Sequence, residues 1–125
     1  MFIRYLNLRI MRSLPLYLLF ILILAGCKKV DVPDGTPYFV KQKIRDYLKK
    51  PVQNPPATVW RYDFNGEKVY YFPPSCCDQF SDLYNEKGDL LCHPDGGLTG
   101  SGDGKCSNFF SARTGQVVIW QDARE

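Results

Sequence analysis

Residues 58–72 read TVWRYDFNGEKVYYF, and this stretch decides the fold. At its centre, Asn65-Gly66 is the strongest short-range signal for a two-residue type I′ turn, because both residues tolerate the positive φ that the turn requires. Counting outward from the turn sets Phe64 opposite Glu67, Tyr62 opposite Val69 and Trp60 opposite Tyr71. Side chains alternate along a strand, so Trp60, Tyr62, Phe64, Val69 and Tyr71 share one face. The other face sets Asp63 against Lys68 and Arg61 against Tyr70, which suits solvent. A continuous apolar face needs a cover. The expectation is a helix packed on the aromatic side, preferred over a sugar-stacking platform because the helix itself needs a partner.

That helix is legible upstream. Val40, Ile44, Tyr47 and Leu48 recur at helical spacing and form one stripe, while Lys41, Lys43 and Arg45 project elsewhere. Thr36 before Pro37 reads as a cap followed by a first helical residue that lacks the amide a cap would otherwise have to satisfy. Lys49-Lys50 suits the negative end of the helix, and Pro51 stops it. Gln53-Asn54-Pro55-Pro56 then reads as a stiff connector.

Downstream of the hairpin, Pro73-Pro74 breaks the strand. Leu83-Tyr84 and Leu90-Leu91-Cys92 flank Asn85-Glu86-Lys87-Gly88-Asp89, which predicts a second hairpin with Gly88 in a left-handed position. Gln116 to Trp120 (QVVIW) predicts the last strand. The whole reads as an α+β domain: one N-terminal helix packed on a small antiparallel sheet of four or five strands, stapled by disulfides.

Four cysteines, Cys76, Cys77, Cys92 and Cys106, lie within 31 residues, and the fifth, Cys27, stands apart. An even set in an exported chain predicts two disulfides. In extended chain Cys76 and Cys77 point to opposite sides, so each is expected to reach its own distant partner, with a bond between the neighbours strained. The expected pairing is nested, Cys77 with Cys92 and Cys76 with Cys106. Closing a loop of about 15 residues stabilises by roughly 3 kcal/mol in the chain-entropy model. Zinc is the rival reading, since His93 adds a ligand, but paired zinc ligands usually stand two to four residues apart. The two-residue spacer of a thioredoxin-type redox pair is also missing.

Between Cys92 and Cys106 the loop DGGLTGSGDGK (95–105) invites a phosphate-binding reading, which fails. A Walker A loop would need glycine at Thr99 and a hydroxyl residue at Cys106. Asp95 and Asp103 are hard oxygen ligands and the glycines leave carbonyls accessible, yet no EF-hand spacing appears. Asp95, Gly96, Gly97, Thr99 and Asp103 are therefore a candidate ligand loop, with Leu98-Thr99 at its apex, and no metal is assigned to it. No nucleophile stands beside His93, the only histidine, and Asp78 beside Gln79 suits a turn. No catalytic residues and no cofactor are assigned.

The chain's first part is read as address rather than fold. Arg4, Arg9 and Arg12 precede LPLYLLFILILA (14–25), an apolar run too short to span a bilayer and right for a signal-peptide core. The sequel Leu24-Ala25-Gly26-Cys27 resembles the bacterial lipobox. That resemblance implies cleavage before Cys27 and acylation of its thiol, which would anchor the chain stably in a membrane. The expected organisation is thus residues 1–26 as a lipoprotein signal peptide, 27–35 as a lipid-anchored tether and 36–125 as a single domain. Removing the signal peptide takes the formal charge from +3 to 13 basic against 13 acidic residues. A neutral domain gives no electrostatic case for nucleic acid. By the lipobox resemblance, Lys28 in place of a retention aspartate after the cysteine favours the outer membrane, and the lack of an acidic run after Cys27 sets the expectation of the periplasmic face.

The segments Val59-Trp60-Arg61-Tyr62, Val69-Tyr70-Tyr71, Ser75-Cys76-Cys77-Asp78-Gln79 and Pro94-Asp95-Gly96-Gly97 through Gly102-Asp103-Gly104-Lys105-Cys106 resemble a family of small uncharacterised bacterial lipoproteins, a domain of unknown function. The resemblance covers roughly residues 38–109 and brings no activity with it. The functional expectation is a non-catalytic binding module of the envelope with a protein or glycan partner. Two alternatives stand beside it. One is an inhibitor offering its disulfide-pinned loop to an enzyme. The other is a metal-dependent enzyme using Asp95, Asp103 and His93.

Overall fold

The structure, a computed structural model, describes residues 29–125; the expected signal peptide and Cys27 lie outside the described residues. Helix α1 spans Tyr38–Leu48. Five strands follow: β1 (Thr58–Phe64), β2 (Glu67–Phe72), β3 (Asp82–Asn85), β4 (Leu90–Cys92) and β5 (Thr114–Gln121). A single turn of helix, α2 (Phe109–Ala112), precedes β5. All neighbouring strands run antiparallel in the order β4-β3-β2-β1-β5.

The β1–β2 register is the one the Asn-Gly turn dictates, with Trp60 opposite Tyr71, Tyr62 opposite Val69 and Phe64 opposite Glu67. Asn65 adopts φ 51° and Gly66 φ 80°, the left-handed pair a type I′ turn needs. The second hairpin also forms as read. Gly88 takes φ 90°, and the Asn85 side chain accepts from the Lys87 and Asp89 amides. β5 joins the free edge of β1 and is the longest strand, with register shifts at two points along the pair.

The cover on each face differs from the sequence expectation. α1 does not pack on the aromatic face. Its buried Val40 and Ile44 join Val59, Tyr70, Phe72 and Ile119 on the opposite side of the sheet. Phe39 meets the Tyr70 ring edge-on and Tyr47 stacks on Trp120. Tyr70, read as solvent-facing, is fully buried under the helix. Alternation explains how both faces can be apolar: Val59, Tyr70 and Phe72 are out of phase with Trp60, Val69 and Tyr71. The run VYYF in β2 is buried at every position, the signature of a strand covered on both sides.

The aromatic face is covered from the other direction, by the segment after β4. Tyr62, Phe64, Val69, Tyr71 and Leu83 pack with Cys92, Cys106 and Phe109. Phe109 of α2 is completely buried and meets Tyr62 and Phe64 edge-on, at ring separations of 5.6 and 5.3 Å. The sheet is thus the middle of three layers. Burying a large apolar side chain contributes about 1.5–3 kcal/mol, so two covers let a short chain use both faces.

Two local readings at the start of the domain change. Thr36 does not cap α1; its hydroxyl donates to Pro33 O at 2.6 Å and closes the turn before the helix, while Pro37 occupies the cap position. The segment read as a tether is pinned by two valines: Val30 is 7% exposed within the helix-side core and Val32 packs against it, while Asp31 and residues 33–35 stay exposed. No helix among the described residues is long and apolar enough to cross a membrane.

Candidate functional site

Two cysteine-bearing segments come together beyond β2 and β4. The disulfides are Cys76–Cys77 and Cys92–Cys106. The nested pairing expected from the sequence is not the one that forms. Residues 75–79 are not extended: Cys77 takes φ 54°, and the Gln79 amide donates to Cys76 O in a tight turn. Opposite projection of neighbouring side chains is a property of strands, so it fails once the chain turns. The Ser75 hydroxyl donates to the Gln79 side-chain oxygen across the same turn. Both Cys76 and Cys77 are exposed, whereas Cys92 and Cys106 lie in the core under Phe109.

The glycine loop is built almost wholly from backbone hydrogen bonds. The Gly97 amide donates to Gln79 O, Gly102 to Gly96 O, Asp103 to His93 O and Gly100 to Gly97 O. Glycine is required where strands of this knot pass closest. A Cβ on Gly96 would run into Gln79 O, and one on Gly102 into His93 O. The loop is therefore held to the 75–79 turn, and the Ser81 hydroxyl adds a bond to Asp95 O at 3.1 Å.

The candidate ligand residues spend their polar groups inside this knot. Asp95 Oδ1 accepts from the Tyr71 hydroxyl at 2.9 Å. Burial, then this bond, pushes the Tyr71 hydroxyl far above its ordinary value. Asp103 Oδ1 accepts from the Lys105 amide at 3.0 Å. Desolvation opposes its charge, but backbone N–H groups and the Lys105 ammonium outweigh it, so the carboxyl titrates below its ordinary value. Thr99 Oγ1 accepts weakly from the Ser101 amide at 3.4 Å. Gly96 bridges Phe80 on one side and Ser101 on the other. Among the described residues no three His, Cys, Asp or Glu side chains are grouped to hold a metal ion.

His93 sits at the base of the loop. Its Nδ1 lies 2.7 Å from Ser81 O and 3.0 Å from Asp82 Oδ1. Both partners are acceptors, so Nδ1 carries the proton and the ring is fixed as a donor. Phe80 stacks on it at 5.1 Å and is 48% exposed. Phe80 is the site residue the sequence did not single out. One phenylalanine among polar neighbours carries no periodic signal, and only the return of the loop puts Gly97 beneath its ring.

Leu98 stands at the apex, 91% exposed. The knot therefore offers an apolar side chain, an exposed disulfide and a half-exposed aromatic ring on one scaffold. The aromatic stripe of β1 is no such platform. The Arg113 guanidinium lies 4.4 Å from the Tyr62 ring centre and also covers Phe109 and Phe110, which leaves only Trp60 half-buried at the margin.

No curated protein and no solved structure matches the chain. A family model does match, over residues 45–122, which takes in the sheet, both disulfides, the glycine loop and the end of α1. By that match the chain belongs to the family described as a domain of unknown function, DUF6970.

Proposed function

We propose that this is a lipid-anchored protein of the bacterial cell envelope whose domain is a non-catalytic binding module, presenting the glycine loop to a protein or glycan partner. The observation that carries the binding reading is Leu98. A large apolar side chain is held almost entirely in water at the tip of a loop closed by Cys92–Cys106 and cross-bonded to residues 79, 93 and 96. Ordering a loop before binding removes part of the entropy cost of association. Interface cores are enriched in aromatic residues, and the half-exposed Phe80 stands on the same knot as Leu98. The anchoring reading rests on the lipobox-like Leu24-Ala25-Gly26-Cys27, with the acylated chain retained in the outer membrane and the domain facing the periplasm.

Leu98→Asp tests the binding reading. The domain should fold as before, since the side chain packs on nothing, while cross-linking in whole cells should lose the partner that the parent chain captures. An unchanged cross-link pattern would move the partner surface elsewhere. Cys27→Ser tests the anchor: it should leave an unprocessed or soluble form, and persistence in the detergent phase to the parent's extent would overturn the lipoprotein reading.

The same loop favours a second reading, an inhibitor of an envelope or extracellular enzyme. The pre-formed, disulfide-closed apex with Leu98-Thr99 exposed is what a protease would meet. Slow, tight-binding cleavage after Leu98 in the purified domain supports it, and rapid cleavage or none at all speaks for the simple binding module.

A further inference from the structure

If Cys27 carries the lipid, the way residue 30 is seated decides how the domain stands on the membrane. Val30 is buried in the helix-side core, so free chain ends at Lys29. Three residue steps separate Cys27 from Val30, a reach of at most about 11 Å even when fully extended. Typical flexible linkers let a domain tumble well clear of the surface; this one does not.

We propose that the β5 edge of the domain, with the C-terminal end of α1, docks on the bilayer surface. The proposal rests on the lipid-anchor reading and adds an orientation to it. The surface that the short link brings down lies beside Asp31, where Leu48, Trp120 and Arg124 line one shallow depression. Leu48 is 39% exposed, and the half-buried Trp120 is stacked on Tyr47. Lys50 is exposed at the same helix end, while the neighbouring Lys49 is paired with Asp46 at 2.8 Å. Arg124 donates to the last carbonyls of α1, at Tyr47 and Leu48. Exposed apolar and indole groups suit the boundary between acyl chains and headgroups, with the Asp31 carboxylate at the polar rim of the depression. Asp122 and Arg124 neutralise each other at 2.7 Å, so the pair adds no net charge to this surface.

Strand order gives this orientation a use. β5 and β4 are opposite edges of the sheet. Four strand spacings of about 4.8 Å put them roughly 19 Å apart. Docking through β5 turns the β4 edge, from which the glycine loop departs, away from the anchor.

The two tryptophans make the test direct. The full acylated protein is placed in vesicles of phosphatidylethanolamine and phosphatidylglycerol that contain lipids brominated along the acyl chain, once as Trp60→Phe and once as Trp120→Phe. Trp120 should be quenched several-fold more strongly than Trp60. Amide exchange of the unmutated protein guards against a folding artefact: on vesicles, residues 46–50 and 120–124 should slow relative to the Cys27→Ser soluble form, while residues 96–101 should not. Equal quenching of both rings, or quenching of neither in protein that co-floats with vesicles, overturns the docking while leaving the anchor intact. Absence of acyl mass on Cys27 overturns the anchor and the docking together.

Discussion

The Tyr71 hydroxyl donates to Asp95 Oδ1 at 2.9 Å and ties β2 to the glycine loop 24 residues further along the chain. Tyr71 is buried in the aromatic face and Asp95 opens the loop, so one bond couples the core to the presented surface.

Tyr71→Phe should therefore cost about 1.5–3 kcal/mol, the range for a hydrogen bond to a charged partner. The urea midpoint measures it. The pH dependence has a definite sign. Burial and the Asp95 bond raise the Tyr71 pKa in the folded state. Its contribution is complete below the unfolded value near 10 and is lost as the pH rises beyond it, because only the unfolded chain ionises there. The parent should lose more stability than Tyr71→Phe on that alkaline limb; parallel curves would mean that the hydroxyl is neither buried nor bonded to Asp95 in solution.

Tryptic mapping without reduction checks the disulfides. Cleavage at Lys68, Lys87, Lys105 and Arg113 isolates residues 69–87, 88–105 and 106–113. The first peptide, with Cys76 and Cys77, should run alone and two mass units below its reduced form. The second and third should run joined through Cys92–Cys106. Any link from 69–87 to another peptide restores the nested pairing. Replacing Cys92 and Cys106 by serine should destabilise by roughly 3 kcal/mol, whereas the exposed pair should matter less to the midpoint.

Adjacent phenylalanines give a sharp contrast in α2. Phe109→Ala empties the centre of the aromatic face and should cost about 3–5 kcal/mol. Phe110 is partly exposed under Arg113, and Phe110→Ala should cost clearly less. Trp60, half-buried at the margin, should also fall short of the full core value. Equal midpoints for Phe109→Ala and Phe110→Ala would contradict the cover assigned to α2.

At the C-terminus, the Arg124 side chain bonds Asp122 and then the Tyr47, Leu48 and Lys50 carbonyls. The Arg124 guanidinium, outweighing burial, holds the Asp122 carboxyl below its ordinary value. A depressed folded-state pKa contributes stability that is present above the unfolded value near 3.9 and is lost as the pH falls through the folded one. Arg124→Gln should lower the melting temperature at pH 7 and flatten the acid limb. An acid limb as steep as the parent's would exclude this pair as its source.

Local chemistry made the strands legible. The Asn65-Gly66 turn fixes a register through the dihedrals of two residues, and Gly88 and the Val40–Ile44 spacing work equally locally. The sites were less legible. Nothing in Asp95 or Tyr71 announces the other, and Phe80 became visible only when Gly97 arrived beneath it. The candidate loop was found by composition, yet its acids proved to be internal acceptors.

By itself the sequence determined α1 and the strands (though not α2), their order along the chain, the β1–β2 register and the membership of a small α+β class, because those follow from backbone preferences and side-chain period within a few residues. Only the tertiary structure decided which face each cover takes. Alternating strands with apolar residues in both phases present two equivalent surfaces, and the choice between them is settled by where the chain can reach. α1 reaches the Val59–Tyr70–Phe72 side, and the Cys92–Cys106 segment reaches the other. The disulfide pairing followed from that placement. Cys106 is carried with Phe109 onto the aromatic face beside Cys92, and the turn at 75–79 leaves Cys76 and Cys77 to each other.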